Sequence, residues 1–584
     1  MHPYQLSLSV AALLFGTKVL AGVKPWVSPE YKHIFQFPLP IPPPLEPIAS
    51  YTNKTTGKSI DFYQIEILDF EKQIYPELQT TSLTGYNGMA PGPTLHMTRG
   101  REAVVRFINS MYISAPMILS VLNSGFEDGS EAQVLGTEYW IQILESWGLW
   151  VNNRADSFAE SQRDASIHLH GSYSRTPFDG WAEDVTSPNQ YKDYYYPNAQ
   201  PQRTLWYHDH AIGETAVNAY FGQAGFYILK DPAATGLQLP SGDYDIPLVG
   251  FFSIDTSVLA ANSNQMIATK QFLSTGKLLS PENERDSLFG DVNTVNGQPW
   301  PYLNVENRKY KFRLLDASVS RSYSLYLVAD SDPKTRIPFI VVGADAGYLD
   351  HPVSTTSLVI AMAERYEIVI DFAKYKGQNM TLMNERDFQA CLPATILHEH
   401  GNGDIPTHLA DLNIPAARTT VDQIFEFGKS NGGQWLINGI GFEDVKNRVV
   451  AFPPQGKVQR WRLVNKGGGW SHPIHIHLID FQVVSRTGSG RSGVTPYEAA
   501  ALKDVVYLGT NGKSTKPGGR CPTHAKTEQV EVIANFAPWS GVYMFHSVEK
   551  ALDEYYAHPP KTPSPTSPSA TATARAATST TKRK

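Results

Sequence analysis

Val458-Gln-Arg-Trp-Arg-Leu-Val-Asn465 mixes basic and apolar residues over a strand's length and ends on a polar turn residue. Two distant stretches echo it, Val104-Val-Arg-Phe-Ile-Asn109 and Tyr310-Lys-Phe-Arg-Leu-Leu-Asp316. Each reads as a β-strand, as does Tyr366-Glu-Ile-Val-Ile-Asp-Phe372, because β-branched and aromatic side chains fit a pleated, half-buried surface. Asn-Gly turns lie upstream of two echoes, at Asn296-Gly297 and Asn438-Gly439, where both residues tolerate a hairpin's positive φ. The echoes recur at domain-sized intervals, far too long for a solenoid. They predict an all-β chain of three related β-sandwich domains.

Composition agrees. A length of 584 residues suggests roughly three or four domains at about 150 residues each. Hydrophobic residues at 41% supply sizeable cores. Lys plus Arg number 50 against 56 Asp plus Glu, a formal charge of −6, which lacks the basic excess of a nucleic-acid binder. With only Cys391 and Cys521, neither a disulfide framework nor a Cys-rich zinc site is available.

Leu6–Phe15 is an apolar run too short to span a bilayer, and Val19-Leu20-Ala21 follows as a cleavage site. Residues 1–21 are therefore expected to be a signal peptide of a secreted protein, in keeping with the sequons at Asn53 and Asn379. Residues 22–47 form a proline-rich entry segment. The domains are expected at 48–235, 236–415 and 416–558, and 559–584 is a Pro, Ser, Thr and Ala-rich tail expected to be disordered.

Histidine carries the chemistry. Of 17 histidines, seven fall in three clusters: His168-Leu-His170, His208-Asp-His210 and His472-Pro-Ile-His475-Ile-His477. In a strand, residues i and i+2 share a face, so each His-x-His offers two imidazoles to one side of a sheet. His472 stands an odd number of residues from His475 and is expected to face elsewhere, toward a different metal, unless Pro473 bends the chain. One such pair is commonly a hydrogen-bonded surface feature, and His398-Glu-His400 is read that way. Three pairs exceed the ligands that a single zinc uses. An all-nitrogen, multinuclear site points to copper.

In these motifs the chain resembles the multicopper oxidases, on the branch that holds laccases and bilirubin oxidases. The likeness is carried by His168-Leu-His-Gly171, Phe178-Asp-Gly-Trp-Ala-Glu-Asp184, Leu205-Trp-Tyr-His-Asp-His210 and Asn296-Gly-Gln-Pro-Trp300, then by Arg313-Leu-Leu-Asp-Ala317 and Met362-Ala-Glu-Arg-Tyr366, and finally by Trp470-Ser-His-Pro-Ile-His-Ile-His477 and Gly541-Val-Tyr-Met-Phe-His546. The resemblance implies three cupredoxin-like domains and copper as cofactor. It also implies one-electron oxidation of phenols, aromatic amines or tetrapyrroles coupled to four-electron reduction of O2 to water. It assigns His168 and His475 to a type 2 copper, His170 and His208 to one type 3 copper, and His210, His477 and His546 to the other. His472 matches a type 1 ligand. Asp179 matches a residue that helps supply protons, although from local sequence it reads equally well as a cap on the turn at Gly180. Partners are then O2 and a small aromatic reductant, with a monomer and no nucleic acid or membrane expected.

The pattern breaks after His546. The family's His-Cys-His reads His546-Ser547-Val548 here, and Leu552 and Ala557 stand at the next ligand positions. A serine hydroxyl stays protonated and is a poor copper ligand, so the type 1 site is expected to fail and leave a copper-binding pseudo-oxidase as the alternative function. The third domain is then expected to be C-terminally incomplete. An insertion at about 110–164 and another at 511–526 read, together with the change after His546, as unremoved introns or a shifted frame in the gene.

Overall fold

The computed structural model describes residues 28–54, 57–111, 113–114, 151–152, 163–237, 239–241, 244–245, 265–279, 290–384, 405–430, 433–466, 471–487, 493–509 and 529–536. The expected signal peptide, most of both insertions, Cys391, Cys521, His398 and His400 lie outside the described residues. So do His546, Ser547, Val548, Leu552, Ala557 and the tail.

Strands dominate, gathered into three cupredoxin-like sandwiches. In the first, Ala49–Thr52, Ser59–Lys72, Glu102–Asn109 and Tyr191–Tyr196 pair in that order, with Thr81–Tyr86 also on Ser59–Lys72. The second layer runs Leu95–Thr98, Ala224–Lys230, Arg203–Asp209, Ile167–His170. Tyr63, Ile65, Ile67, Val105 and Phe107 from one layer meet Ile167, Leu169, Leu205, Tyr207, Tyr227 and Leu229 from the other in a single apolar core. The period of two is evident, since every second residue points inward.

The second sandwich pairs a seven-stranded sheet, centred on Lys309–Asp316 and Arg365–Asp371, with a four-stranded one around Tyr323–Ala329. In the third, Trp435–Ile437, Gln423–Lys429, Val458–Asn465, Gln529–Asn535 and Phe481–Thr487 form the larger sheet. His472–His475 and Val505–Leu508 form a two-stranded partner.

The three echoes occupy one topological position. Glu102–Asn109 lies parallel to Ser59–Lys72 and antiparallel to Tyr191–Tyr196. Lys309–Asp316 lies parallel to Gln265–Lys270 and antiparallel to Arg365–Asp371. Val458–Asn465 lies parallel to Gln423–Lys429 and antiparallel to Gln529–Asn535. Each is flanked by strands on both sides, which explains its dense apolar content. A third Asn-Gly turn, Asn87-Gly88, completes the set with positive φ at both residues. Asn87 Oδ1 accepts from the Glu66 amide at 2.8 Å, and Asn438 Oδ1 accepts from the Glu426 amide at 2.7 Å. The asparagine therefore ties its hairpin to the preceding strand, a role that composition alone does not reveal.

Buried charge joins the sandwiches. Arg203 of the first donates both terminal guanidinium nitrogens to the Asp480 carboxylate of the third, at 2.7 and 2.9 Å, and the Tyr173 hydroxyl also donates to Asp480. Arg313 of the second bridges Asp245, Glu367 and Thr204. Lys503 of the third is fully buried, with Nζ 2.8 Å from Asp345 and 3.2 Å from Glu364. Among the described residues, no helix is long and apolar enough to cross a membrane.

Asp480→Ala would leave the buried Arg203 guanidinium without its counter-charge, at a cost of about 3–5 kcal/mol. Urea unfolding followed by circular dichroism should show this as a lowered midpoint.

Candidate metal centre

Ile167-His-Leu-His170 sends Ile167 and Leu169 into the first sandwich's core, so His168 and His170 must face the other way. The neighbouring strand repeats the arrangement, with Leu205 and Tyr207 inside and Trp206 and His208 outside. Antiparallel register sets His208 opposite His168 and Trp206 opposite His170. These outward side chains are nonetheless buried: the third domain covers His168 and His170 with His477 and His475, and Trp206 packs against Leu315 of the second.

Six imidazoles meet. His168 stacks on His477 with ring centroids 4.1 Å apart, and His170 stacks on His475 at 3.6 Å. His168 lies 5.5 Å from His208 and 5.2 Å from His210, and His210 lies 5.3 Å from His477. Trp206 lies flat on His208 at 4.1 Å and lines the nest beside the histidines. Its place follows from the same period of two that marks His208 and His210, but an indole carries no ligand signature.

Hydrogen bonds aim the rings. His168 Nδ1 donates to the Asp179 carbonyl, His208 Nδ1 to the Asp209 carbonyl at 2.7 Å, and His475 Nδ1 to the Asp504 carbonyl at 2.8 Å. His477 Nδ1 donates to Asp179 Oδ2 at 2.8 Å. Each bond fixes the tautomer and leaves Nε2 as a bare lone pair, the usual outer support of a metal-bound histidine. His168 Nε2 and His475 Nε2 then face each other at 3.4 Å. Two lone pairs at that distance repel unless a cation lies between them, and nitrogens bound at about 2.0 Å to one ion can be up to about 4 Å apart.

Burial disfavours a proton on five of the six rings. It pushes His168, His170 and His475 well below the usual imidazole range, His208 down to about 4 and His210 down to about 2. The neighbouring rings repel a proton further. His210 Nδ1 is buried without a hydrogen-bond partner among the described residues. Neutral, converging and partly unpartnered imidazoles are the form that metal ions take up, so the residues present fit a nitrogen-ligated metal cluster.

Asp179 sits under the nest. Burial raises its pKa, against the opposing pull of His477. Its Oδ2 binds His477 while Oδ1 lies 3.5 Å from His168 Nδ1. The carboxylate thus hydrogen-bonds one imidazole, while the Asp179 main-chain amide closes the turn, onto Thr176. Gly180 follows at φ +76°, and a Cβ there would stand 2.5 Å from the Ile167 carbonyl. The turn can press this close to the His168 strand only without a side chain.

His472 lies apart from the six. The strand His472–His475 runs through Pro473 without bending away from Val505–Leu508, so the odd spacing turns His472 to the other face. It meets Trp435 edge-on at 4.8 Å, and its buried Nε2 has no hydrogen-bond partner among the described residues. Burial brings its pKa down to about 4. Sequence reading missed three supports: Asp209, Arg365 and Asp504. The Asp209 carboxylate accepts from the Ser166 and Ala211 amides and from Asn218 Nδ2, locking the two histidine strands together.

Three β-sandwiches with a histidine nest between the first and third define a metalloprotein built from cupredoxin-like units. The chain belongs to the multicopper oxidase family: family models described as multicopper oxidase match residues 70–147 with 149–234, 283–402 and 413–550. It is 40% identical to the bilirubin oxidase of Albifimbria verrucaria over 94% of this chain and 86% of that protein. It is 29% identical to the laccase of Bacillus subtilis over 87% of this chain and 94% of that one. Among solved structures, the multi-copper oxidase of Pediococcus acidilactici superposes with a TM-score of 0.61 at 20% identity, covering 90% of this chain and 89% of that one. McoA of Aquifex aeolicus gives 0.58 at 21%, covering 86% and 93%.

The metal-free protein should lose stability on acidification. Depressed imidazole pKa values mean that the unfolded chain binds more protons below about pH 6.5, so stability falls as pH drops through that value. Each of these depressed imidazoles, His472 included, then costs about 2 kcal/mol at pH 5. Asp179 and Asp209, raised by burial, oppose this but are outnumbered. Thermal melts should give a lower midpoint at pH 5 than at pH 7.

Proposed function

We infer that the nest is a copper cluster at which O2 is reduced to water, with electrons drawn one at a time from a small aromatic reductant of the phenol, aromatic amine or tetrapyrrole class. The facing Nε2 atoms of His168 and His475, 3.4 Å apart with both outer nitrogens already bonded, carry this reading. His168 and His475 would hold a type 2 ion, His170 with His208 one type 3 ion, and His210 with His477 and His546 the other. His472 would belong to a type 1 site. Bound copper supplies the one-electron chemistry that imidazole and carboxylate lack.

The chain's own residues position and protonate. Asp179, desolvated and bonded to His477, is suited to hold a proton beside the cluster and release it as oxygen is reduced. The expected monomer, secretion after removal of residues 1–21, absence of nucleic-acid or membrane partners, and domain limits at 48–235, 236–415 and 416–558 belong to the same proposal.

Ser547-Val548 favours a second reading. Without a thiolate at 547, the link from a type 1 site to the cluster histidines is broken, and the chain would bind copper without ordinary turnover. One set of measurements separates the two. Copper-loaded protein should contain several copper atoms per chain by elemental analysis, and His168→Ala with His475→Ala should lower that count. O2 uptake with a phenolic dye, slowed about 10²-fold or more by Asp179→Asn, establishes the oxidase. Bound copper with neither the intense blue thiolate absorption nor dye oxidation establishes the second reading, and a chain that takes up no copper refutes both.

A further inference from the structure

Met362-Ala-Glu-Arg-Tyr366 and Arg313-Leu-Leu-Asp-Ala317 lie in the second domain, whose described residues lend no imidazole to the nest, yet they build one device aimed at it. Ala363 takes φ +67° and donates its amide to the Asp316 carbonyl at 2.8 Å. Glu364 Oε2 closes the turn by accepting from the Ala361 amide at 2.8 Å. This turn delivers Arg365, fully buried, to the junction of all three domains.

All five N–H donors of the Arg365 guanidinium find acceptors. Nε donates to the Thr204 carbonyl of the first domain at 3.0 Å. Nη1 donates to the Ala363 carbonyl at 3.0 Å and to Asp504 Oδ1 at 2.7 Å. Nη2 donates to the Asp345 carbonyl at 3.2 Å and to Asp504 Oδ2 at 2.6 Å. Asp504 belongs to the third domain and touches the nest twice. Its carbonyl accepts from His475 Nδ1 at 2.8 Å, and its Oδ1 lies 3.4 Å from His170 Nε2. With that edge of His170 turned to the carboxylate, its Nδ1 faces His208 Nε2 at 3.4 Å.

Gly171, the residue after His170, supplies independent support. It adopts φ +84°, and a Cβ there would stand 2.5 Å from Asp504 Oδ2 and 2.7 Å from Arg365 Nη2. The end of the histidine strand therefore seats directly on the guanidinium–carboxylate pair.

We propose that Arg365 and Asp504 are positioning residues, a clamp through which the second domain sets which ring edges His170 and His475 present to the cluster. The planar fork matters, because lysine has neither five donors nor a bidentate grip on a carboxylate. The proposal rests on the copper reading of the nest and deepens it.

The test compares wild type with Arg365→Lys and with the double variant Arg365→Gln/Asp504→Asn, which removes both buried charges together. Folding is followed by circular dichroism and thermal midpoint. Copper(II) affinity is measured by competition with a chelator, and the bound ion's surroundings by its electron paramagnetic resonance spectrum. The expected result is that the double variant folds, binds copper about 10–100-fold more weakly and shows altered copper hyperfine splitting, with Arg365→Lys between it and wild type. Wild-type affinity and spectrum in a folded double variant overturn the clamp alone. Loss of fold in both variants also overturns it, by reducing the pair to a structural role. A wild-type chain that binds no copper overturns the clamp together with the reading beneath it.

Discussion

Imidazoles packed ring against ring and mostly removed from water do not stay together by mutual attraction. Their lone pairs repel, and the Nδ1–H groups of His168, His208, His475 and His477 are already given to oxygen acceptors instead of to one another. The nest therefore exists because something else presses the first and third domains together at a fixed offset. Buried ions at the junction supply that constraint: Arg203 with Asp480, Lys503 with Asp345 and Glu364, and Arg365 with Asp504. Buried pairs add little net stability over an apolar interface. Apolar faces, however, slide at small cost, whereas a displaced guanidinium loses its counter-charge and several hydrogen bonds at once. Charge at this junction acts as a registry device, holding His475 and His477 over His170 and His168.

The same economy appears within the first domain. Ile167 and Leu169 fill its core, and by the strand's alternation they turn His168 and His170 outward. Core packing and metal presentation are thus two faces of four residues. Gly171 and Gly180 sit at either margin of this arrangement, each at positive φ and each where a methyl group would strike the neighbouring chain. Backbone proximity brings Asp179 beneath His477 on one side and Asp504 beside His170 on the other.

Much of this was legible in the linear text. Strands at Glu102–Asn109, Lys309–Asp316 and Val458–Asn465 were readable because each is flanked by partners on both sides and must be rich in β-favouring side chains. The three His clusters were readable because imidazoles two residues apart on a strand are rare without a shared task. Asn87-Gly88 escaped notice because its neighbours alternate weakly, although its backbone matches the other two turns. Trp206 escaped because a tryptophan in a strand ordinarily signals core. Arg365 and Asp504 escaped because a buried ion pair whose members stand 139 positions apart leaves no local pattern.

Order along the chain determined the strand periodicity, the threefold recurrence and the residue types able to bind copper, since these follow from local sterics and ligand chemistry. Only the tertiary structure decided that six of those imidazoles share one nest, that His472 stands outside it beside Trp435, and that the Asp179 carboxylate bonds a histidine instead of capping a turn. Those outcomes depend on how separate sandwiches dock, and docking is set by charges and close backbone approaches between stretches hundreds of residues apart, which no local pattern encodes.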